Sequence, residues 1–264
     1  MDPERYRSNS AHGVVYCYLR RKKVEENNNI EYLRVIVGSH AHGLATPESD
    51  VDIRSVYVAP TKSFFTYSAN GGLPKVKANS HTENGVDDTS FEIGHFLHLA
   101  MKSNPSILEM FRAPNEYSGI KGSQLAHHLR GKALLSLFPY VWSSKGVYNA
   151  YRGYASAERS RILEGSVKTG KLGAAWVRSI YNATQLLTTG DFNINVIGTP
   201  VEIYARAWKK NESVFGGLLP IAEVTSIGAK FERELDYAYA NSPEKLTMID
   251  PVNDFILKIR GENW

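Results

Sequence analysis

Two apolar, β-branched runs lie close together early in the chain, and the segment joining them limits how they can be arranged. The first, LRVIVG, spans residues 33–38 and ends on glycine; the second, DVDIRSVYVA, spans residues 50–59. Each has the length and composition of a strand with a buried face. The connection between them is too short for a long crossover. It leaves room for a brief helix beginning near Ser39.

The flanking segments set the expected frame. VVYCYL (14–19) reads as a short strand or the start of a helix, followed by the basic cluster Arg20, Arg21, Lys22 and Lys23. Residues 68–84, rich in Gly, Asn, Lys and Ser, predict a mobile loop carrying Lys75 and Lys77. Phe91, Phe96, Leu97, Leu99, Ala100 and Met101 follow a mainly helical pattern that Asn104-Pro105 stops. SILEMFRAP fits a strand or a short helix. From Tyr117 onward SQLAHHLRGKALLSLF, YNAYRGYASAERSRILEG, LGAAWVRSIYNATQLLTTG and KFERELDYAYAN read as helices, with Gly165 and Gly190 where C-terminal stops belong. The expected class is α+β. Residues 1–116 form a mixed sheet flanked by helices, and residues 117–264 are mostly helical.

Composition narrows the setting. An apolar fraction of 42% supports a real core. A formal charge of +4 is compatible with a nucleotide or nucleic-acid partner without demanding one. The single cysteine, Cys17, excludes an intramolecular disulfide and a cysteine-based zinc cluster. The polar start MDPERYRSNS lacks a signal-peptide core, and no run reaches the roughly 18 apolar residues of a membrane span. A cytosolic protein is expected.

The chemistry concentrates at Asp50 and Asp52. Strand side chains alternate, so the two project from one face with Cα atoms roughly 7 Å apart, while Val51 and Ile53 turn toward the core. Two carboxylates that close repel each other unless a cation sits between them. Hard oxygen donors select Mg²⁺ or Mn²⁺, and two such ions about 4 Å apart serve in-line displacement at phosphorus. Upstream, Gly38 permits close backbone approach, Ser39 offers a hydroxyl and an N–H at a helix start where phosphate binds well, and Gly43 keeps the loop uncluttered.

Strand, Gly38-Ser39, Gly43, then Ser49-Asp50-Val51-Asp52 opening a second strand together resemble the DNA polymerase β-like nucleotidyltransferase superfamily. The fuller text GSHAHGLATPESDVDIRSVYV is more similar to predicted nucleotidyltransferases of bacteria and phages, some associated with RNA repair. In that group a Thr-Pro before the Ser-Asp and an Arg two residues after the second Asp recur; here they are Thr46-Pro47 and Arg54. FLHLAMKSNPSILEMF and LLTTG extend the resemblance, which covers residues 33–115 firmly and 145–195 loosely. Two positions depart from it. Ser55 stands where the group often has Gly. Ala175 stands at about the place of a frequent His, which bears on the acceptor.

The resemblance implies a third carboxylate on a neighbouring strand, and Asp87, Asp88 and Glu92 are the candidates. Asp88 is preferred, at the end of a strand. The competing readings are a helix cap for Asp88, a capping box between Thr89 and Glu92, and a solvated Asp87. Glu109 reads as a structural ion-pair partner. His40 and His42 are expected near phosphate, and His95 and His98 on a helix surface. Lys145, Arg152, Arg159, Arg161, Lys168, Lys171 and Arg178 make the helical half basic; Lys171 and Arg178, seven apart, share a helix face and fit a triphosphate or an acceptor backbone. Tyr148, Tyr151 and Tyr154 fit base stacking or the core.

The expectation is Mg²⁺-dependent transfer of a nucleoside monophosphate from an NTP to an acceptor hydroxyl, with release of pyrophosphate. Gly38, Ser39, His40, Gly43, Ser49, Lys171 and Arg178 are assigned to the nucleotide, and Asp50, Asp52 and Asp88 to the metal. The preferred acceptor is an RNA or tRNA 3′ end. The alternatives are AMP transfer to a protein hydroxyl and a catalytically silent nucleotide- or RNA-binding module.

Overall fold

The computed structural model describes residues 28–67, 78–83, 86–114 and 124–264. Strands β1 (Ile30–Val37) and β2 (Val51–Val58) pair antiparallel, with Val37 opposite Asp52 and Leu33 opposite Val56. One turn of helix, α1 (Gly38–Ala41), begins the connection between them. Strand β4 (Val86–Glu92) runs parallel to β2, and β3 (Ala78–Glu83) pairs antiparallel with β4. The sheet is mixed, in the order β1-β2-β4-β3.

Two expectations change here. The loop predicted over 68–84 contains β3, because pairing with β4 satisfies backbone groups that polar composition alone leaves to solvent. The helical pattern predicted from Phe91 begins only at Ile93, and Phe91 belongs to β4. The run VVYCYL with its basic tail, and Lys75 and Lys77, lie outside the described residues.

Side-chain caps fix where the next elements start. Glu92 ends β4 and caps α2 (Ile93–Met101): its Oε2 accepts from the Gly94 N–H at 2.7 Å, and its Oε1 accepts from Arg260 at 2.6 Å. Its partners are therefore structural. Asn104 caps α3 (Pro105–Met110) by accepting from the Ile107 N–H, with Pro105 at the first helical position. The Asn-Pro step thus opens a helix as well as closing one.

The C-terminal part is helical: α4 (Gln124–Leu135), α5 (Ser144–Leu163), α6 (Thr169–Thr189), α7 (Glu202–Lys209), α8 (Ile221–Asn241) and α9 (Ile249–Glu262). Helix α6 is central and packs against α5, α7 and α8. It buries Trp176, Val177, Ile180, Ala183 and Leu186, and Gly190 ends it in the left-handed conformation. Two indoles are anchored by buried carboxylates, Trp176 donating to Glu232 at 3.2 Å and Trp208 to Glu223 at 2.8 Å. Helix α4 lies on β1. One apolar cluster runs from Leu33, Val35 and Val56 through Phe96, Phe111 and Phe138 to Trp176 and Leu235, so sheet and helices share a core. No helix among the described residues is long and apolar enough to cross a membrane.

Paired residues in the register place Arg34, Ser55, Asp88 and Ser90 on one face of the sheet, and Val35, Asp52, Arg54 and Asp87 on the other. On the first face Arg34 is fully buried, donating to Asp88 at 2.9 Å and to Glu31 at 3.2 Å. Breaking a buried ion pair on one side is costly because the remaining charge loses its compensation. We expect Asp88→Ala to lower the free energy of unfolding by about 3 kcal/mol. Asp87→Ala, one residue away but exposed, should change it by less than about 0.5 kcal/mol in the same urea titration.

Candidate active site

The site is organised by the contact between Gly38 and Asp52. Gly38 has φ +65°, and a Cβ there would lie 1.9 Å from the Asp52 Oδ2 atom. The backbone conformation favours glycine, and a side chain there would displace the carboxylate. The β1–α1 turn closes directly over a half-buried acid on β2.

The loop after α1 is held from the helical part. Gly43 has φ +70°, and a Cβ there would meet Asn195 Oδ1 at 2.6 Å. The Val196 N–H donates to the His42 carbonyl at 3.2 Å. His42 is buried, and burial together with the nearby Arg178 charge pulls its pKa down to about 2. It is neutral, and its Nδ1 lies 3.2 Å from the Ile194 carbonyl, so Nδ1 carries the proton and donates. His42 is a strut rather than a cation for phosphate. His40 is exposed, with Nε2 at 3.4 Å from the Ser49 carbonyl. The loop closes on itself where the Thr46 N–H donates to Ser49 Oγ at 2.8 Å. Lys209 of α7 adds a strap, donating to the Leu44 carbonyl at 2.8 Å and to Ser49 Oγ at 3.4 Å.

A cleft with two adjoining chambers opens between this turn and α5, α6 and α7. The larger, about 510 Å³, is lined by Ser39, Ser49, Asp50, Lys171 and Lys209 among others. The smaller, about 310 Å³, adds Arg54, Thr89, Ser106 and Glu109. Gly38, His42, Asp52, Asp87, Tyr154 and Arg178 border both. Of the residues expected at the site, Gly38, Ser39, Ser49, Asp50, Asp52, Lys171 and Arg178 are thus brought together. His40 and Gly43 shape the loop behind them.

Asp88 is the correction. It is 1% exposed and held by Arg34 on the opposite face, because strand alternation turns it away from Asp52. The third carboxylate in the cleft is Asp87, in register beside Asp52 on the parallel neighbour and exposed to solvent. Glu109 faces Arg178 Nε at 3.9 Å. The tyrosines divide as well. Tyr151 is fully buried, and Tyr148 stacks on Tyr239 with ring centroids 4.2 Å apart. Tyr154 reaches the cleft, its pKa pushed up to about 12 by burial and then by Glu158. Lys209 carries no local signal in AWKKN; only the packing of α7 against α6 brings it to the cleft.

The electrostatics ask for a cation. The Asp52 carboxyl is raised above the usual carboxylate range, first by burial and then by the Asp87 charge; Arg54 and Lys171 oppose this, and Asp50 adds to it. Among the described residues no three side chains are already clustered as a metal ligand set. The donors nevertheless fit a divalent ion in type and charge: three hard carboxylates, Asp50, Asp52 and Asp87, border one cleft, and their mutual repulsion is what such an ion relieves.

A glycine turn seated on a strand carboxylate, in a mixed sheet roofed by helices, is the arrangement expected of the polymerase β-like nucleotidyltransferases, and a family match gives this chain that class. Over residues 12–193 it matches the model of the RNA repair pathway DNA polymerase beta family, RlaP, and the chain belongs to that family. It is also 30% identical over 82 residues to an uncharacterised 38.9 kDa protein in the nrdC–mobD intergenic region of Enterobacteria phage T4. That match covers 30% of this chain and 24% of the phage protein, so this chain spans about a quarter of its length.

A raised carboxyl pKa in the folded state means that ionising Asp52 opposes folding. Its favourable contribution is full below the unfolded value near 3.9 and is lost as pH rises through the raised value. Asp52→Asn should therefore raise Tm at pH 7 in metal-free buffer by about 1–2 °C, a gain kept small by solvent screening. By differential scanning calorimetry the gain should fade toward pH 4 and Mg²⁺ should no longer shift Tm. Gly38→Ala should displace Asp52 and weaken Mg²⁺ binding by about tenfold or more, read by titration calorimetry.

Proposed function

We propose that the protein transfers a nucleoside monophosphate from an NTP to an acceptor hydroxyl, releasing pyrophosphate, with a nucleic-acid 3′ end as the acceptor. The observation that carries this is the register of Asp52 and Asp87 under the Gly38 turn, opposite lysines of the helical part. Ser39, Ser49, Lys171 and Lys209 line the larger chamber with the hydroxyls and ammonium groups a triphosphate needs. Asp50, Asp52 and Asp87 would hold Mg²⁺ or Mn²⁺, which supplies charge neutralisation at the reacting phosphate.

Each side chain then has a task set by its surroundings. Lys171 and Lys209 offset charge on the β- and γ-phosphates. Gly38 lets the backbone approach without a clash. Asp52, held against the turn, would hold the cation that offsets charge at the nucleotide's reacting end. Asp87 faces solvent beside it and takes the proton leaving the acceptor hydroxyl as that oxygen attacks the α-phosphorus. Catalysis of this kind rests on positioning and charge. Ala175, at about the place of a frequent His in the group the sequence resembles, lines the larger chamber between Lys171 and Arg178 and adds no titratable group of its own.

Asp50→Ala combined with Asp52→Ala should reduce Mg²⁺-dependent transfer by at least about a hundredfold while the far-UV circular dichroism stays unchanged. The assay incubates each labelled NTP with total RNA and with lysate protein. Label on RNA is the expected result. Label on polypeptide would move the acceptor to a protein hydroxyl, and calorimetric NTP binding without pyrophosphate release would leave only a binding module.

A further inference from the structure

The smaller chamber has a different chemistry from the larger one. Its cations are guanidinium groups: Arg54 projects from β2 on the same face as Asp52, and Arg178 from α6. Arg54 donates Nη1–H to the Ser106 carbonyl at 3.1 Å, which orients the rest of its planar fork. Arg178 Nε forms an ion pair with Glu109 at 3.9 Å, beyond hydrogen-bonding distance, and its buried Nε–H has no hydrogen-bond partner. Thr89, Ser106 and Ser179 add hydroxyls, and polar surface dominates the lining.

The two helices that supply Tyr154 and Arg178 carry further unmet hydrogen-bonding capacity away from the lining. The Tyr151 hydroxyl, both amide atoms of Asn182 and the Glu158 Oε2 atom are buried without a partner. Asn182 lies one turn along α6 from Arg178, and Tyr151 and Glu158 flank Tyr154 on α5. Buried polar groups are almost always satisfied, and of these orphans the Arg178 Nε–H belongs to a residue that lines the chamber, where a polar occupant would meet its guanidinium.

We infer that the smaller chamber receives the terminal nucleotide of a single nucleic-acid strand, with Arg54 and Arg178 holding the phosphate on its 5′ side. This rests on the nucleotidyl-transfer reading above. Guanidinium groups match phosphate in shape and charge. The volume of about 310 Å³ is at the low end for ligand pockets, enough for one nucleotide and too small for a base pair. The strand end reaches Asp87 and Asp52 because both border the chamber, which presents its hydroxyl to the nucleotide in the larger one. Arg54 and Arg178 are thereby specificity determinants for an anionic, unpaired acceptor.

The test uses the full-length protein and fluorescein-labelled single-stranded RNA, with one linkage made neutral as a methylphosphonate. Binding is read by anisotropy and transfer by KM for the strand. Neutralising the last linkage should raise Kd by about tenfold, and the same change several linkages upstream should leave it unaltered. Arg54→Gln, with folding checked by circular dichroism, should weaken the all-phosphate strand about as much and erase the difference between strands; Arg54→Lys should restore part of it. Equal Kd for both strands on the unmutated protein overturns the inference. So does equal binding when the 3′ end is locked in a duplex. Loss of discrimination with transfer intact removes the subsite alone. Discrimination intact with no transfer to any acceptor removes the nucleotidyl-transfer reading and leaves the subsite standing.

Discussion

The parallel pairing of β2 with β4 is the constraint on which the site depends. It sets Asp52 beside Asp87 and, one residue further on, Ile53 beside Asp88. A slip of one residue would exchange the two faces, since side chains alternate along a strand. Asp88 would then face the cleft and Asp87 the buried guanidinium of Arg34. The ion pair of Arg34 with Asp88 on the far side is consistent with one register only, so the structural charge cluster and the acidic cleft are two consequences of the same alignment.

That dependence explains what could be read from residues alone. The two strands around Gly38 and Asp52, the one-turn helix after them and the long helices α5, α6 and α8 follow from local pattern: β-branched runs, glycine stops and helical apolar spacing. The pair Asp50 and Asp52 is legible for the same reason, because its members are close in sequence. The third acid is not. Asp87 and Asp88 are adjacent, equally acidic and equally polar in context, and only the pairing of β4 with a strand more than thirty residues away decides which one faces the cleft. β3 was hidden for a related reason, its polar run becoming a strand only through its partner. Lys209 lies still further along the chain and reaches the loop through helix packing alone.

The acidic side of the cleft concentrates charge at a cost in stability. Asp52 is half-buried, close to a like charge, and pressed against a turn that favours glycine. Each of these is unfavourable by itself and tolerable because the shared core of sheet and helices supplies the compensation. His42 shows the opposite solution nearby. Its neutrality lets a buried ring act as a spacer between loop and helix without adding charge to a site already crowded with it.

The strap from Lys209 carries a further consequence. Its ammonium already has two oxygen partners, the Leu44 carbonyl and Ser49 Oγ, on the segment that leads into Asp50. An ammonium has three hydrogens, so one N–H remains for an acceptor in the cleft while the other two hold the loop. The arm bearing Asp50 and a cation of the larger chamber therefore depend on one side chain, so losing Lys209 would loosen the loop and strip the cleft of positive charge together.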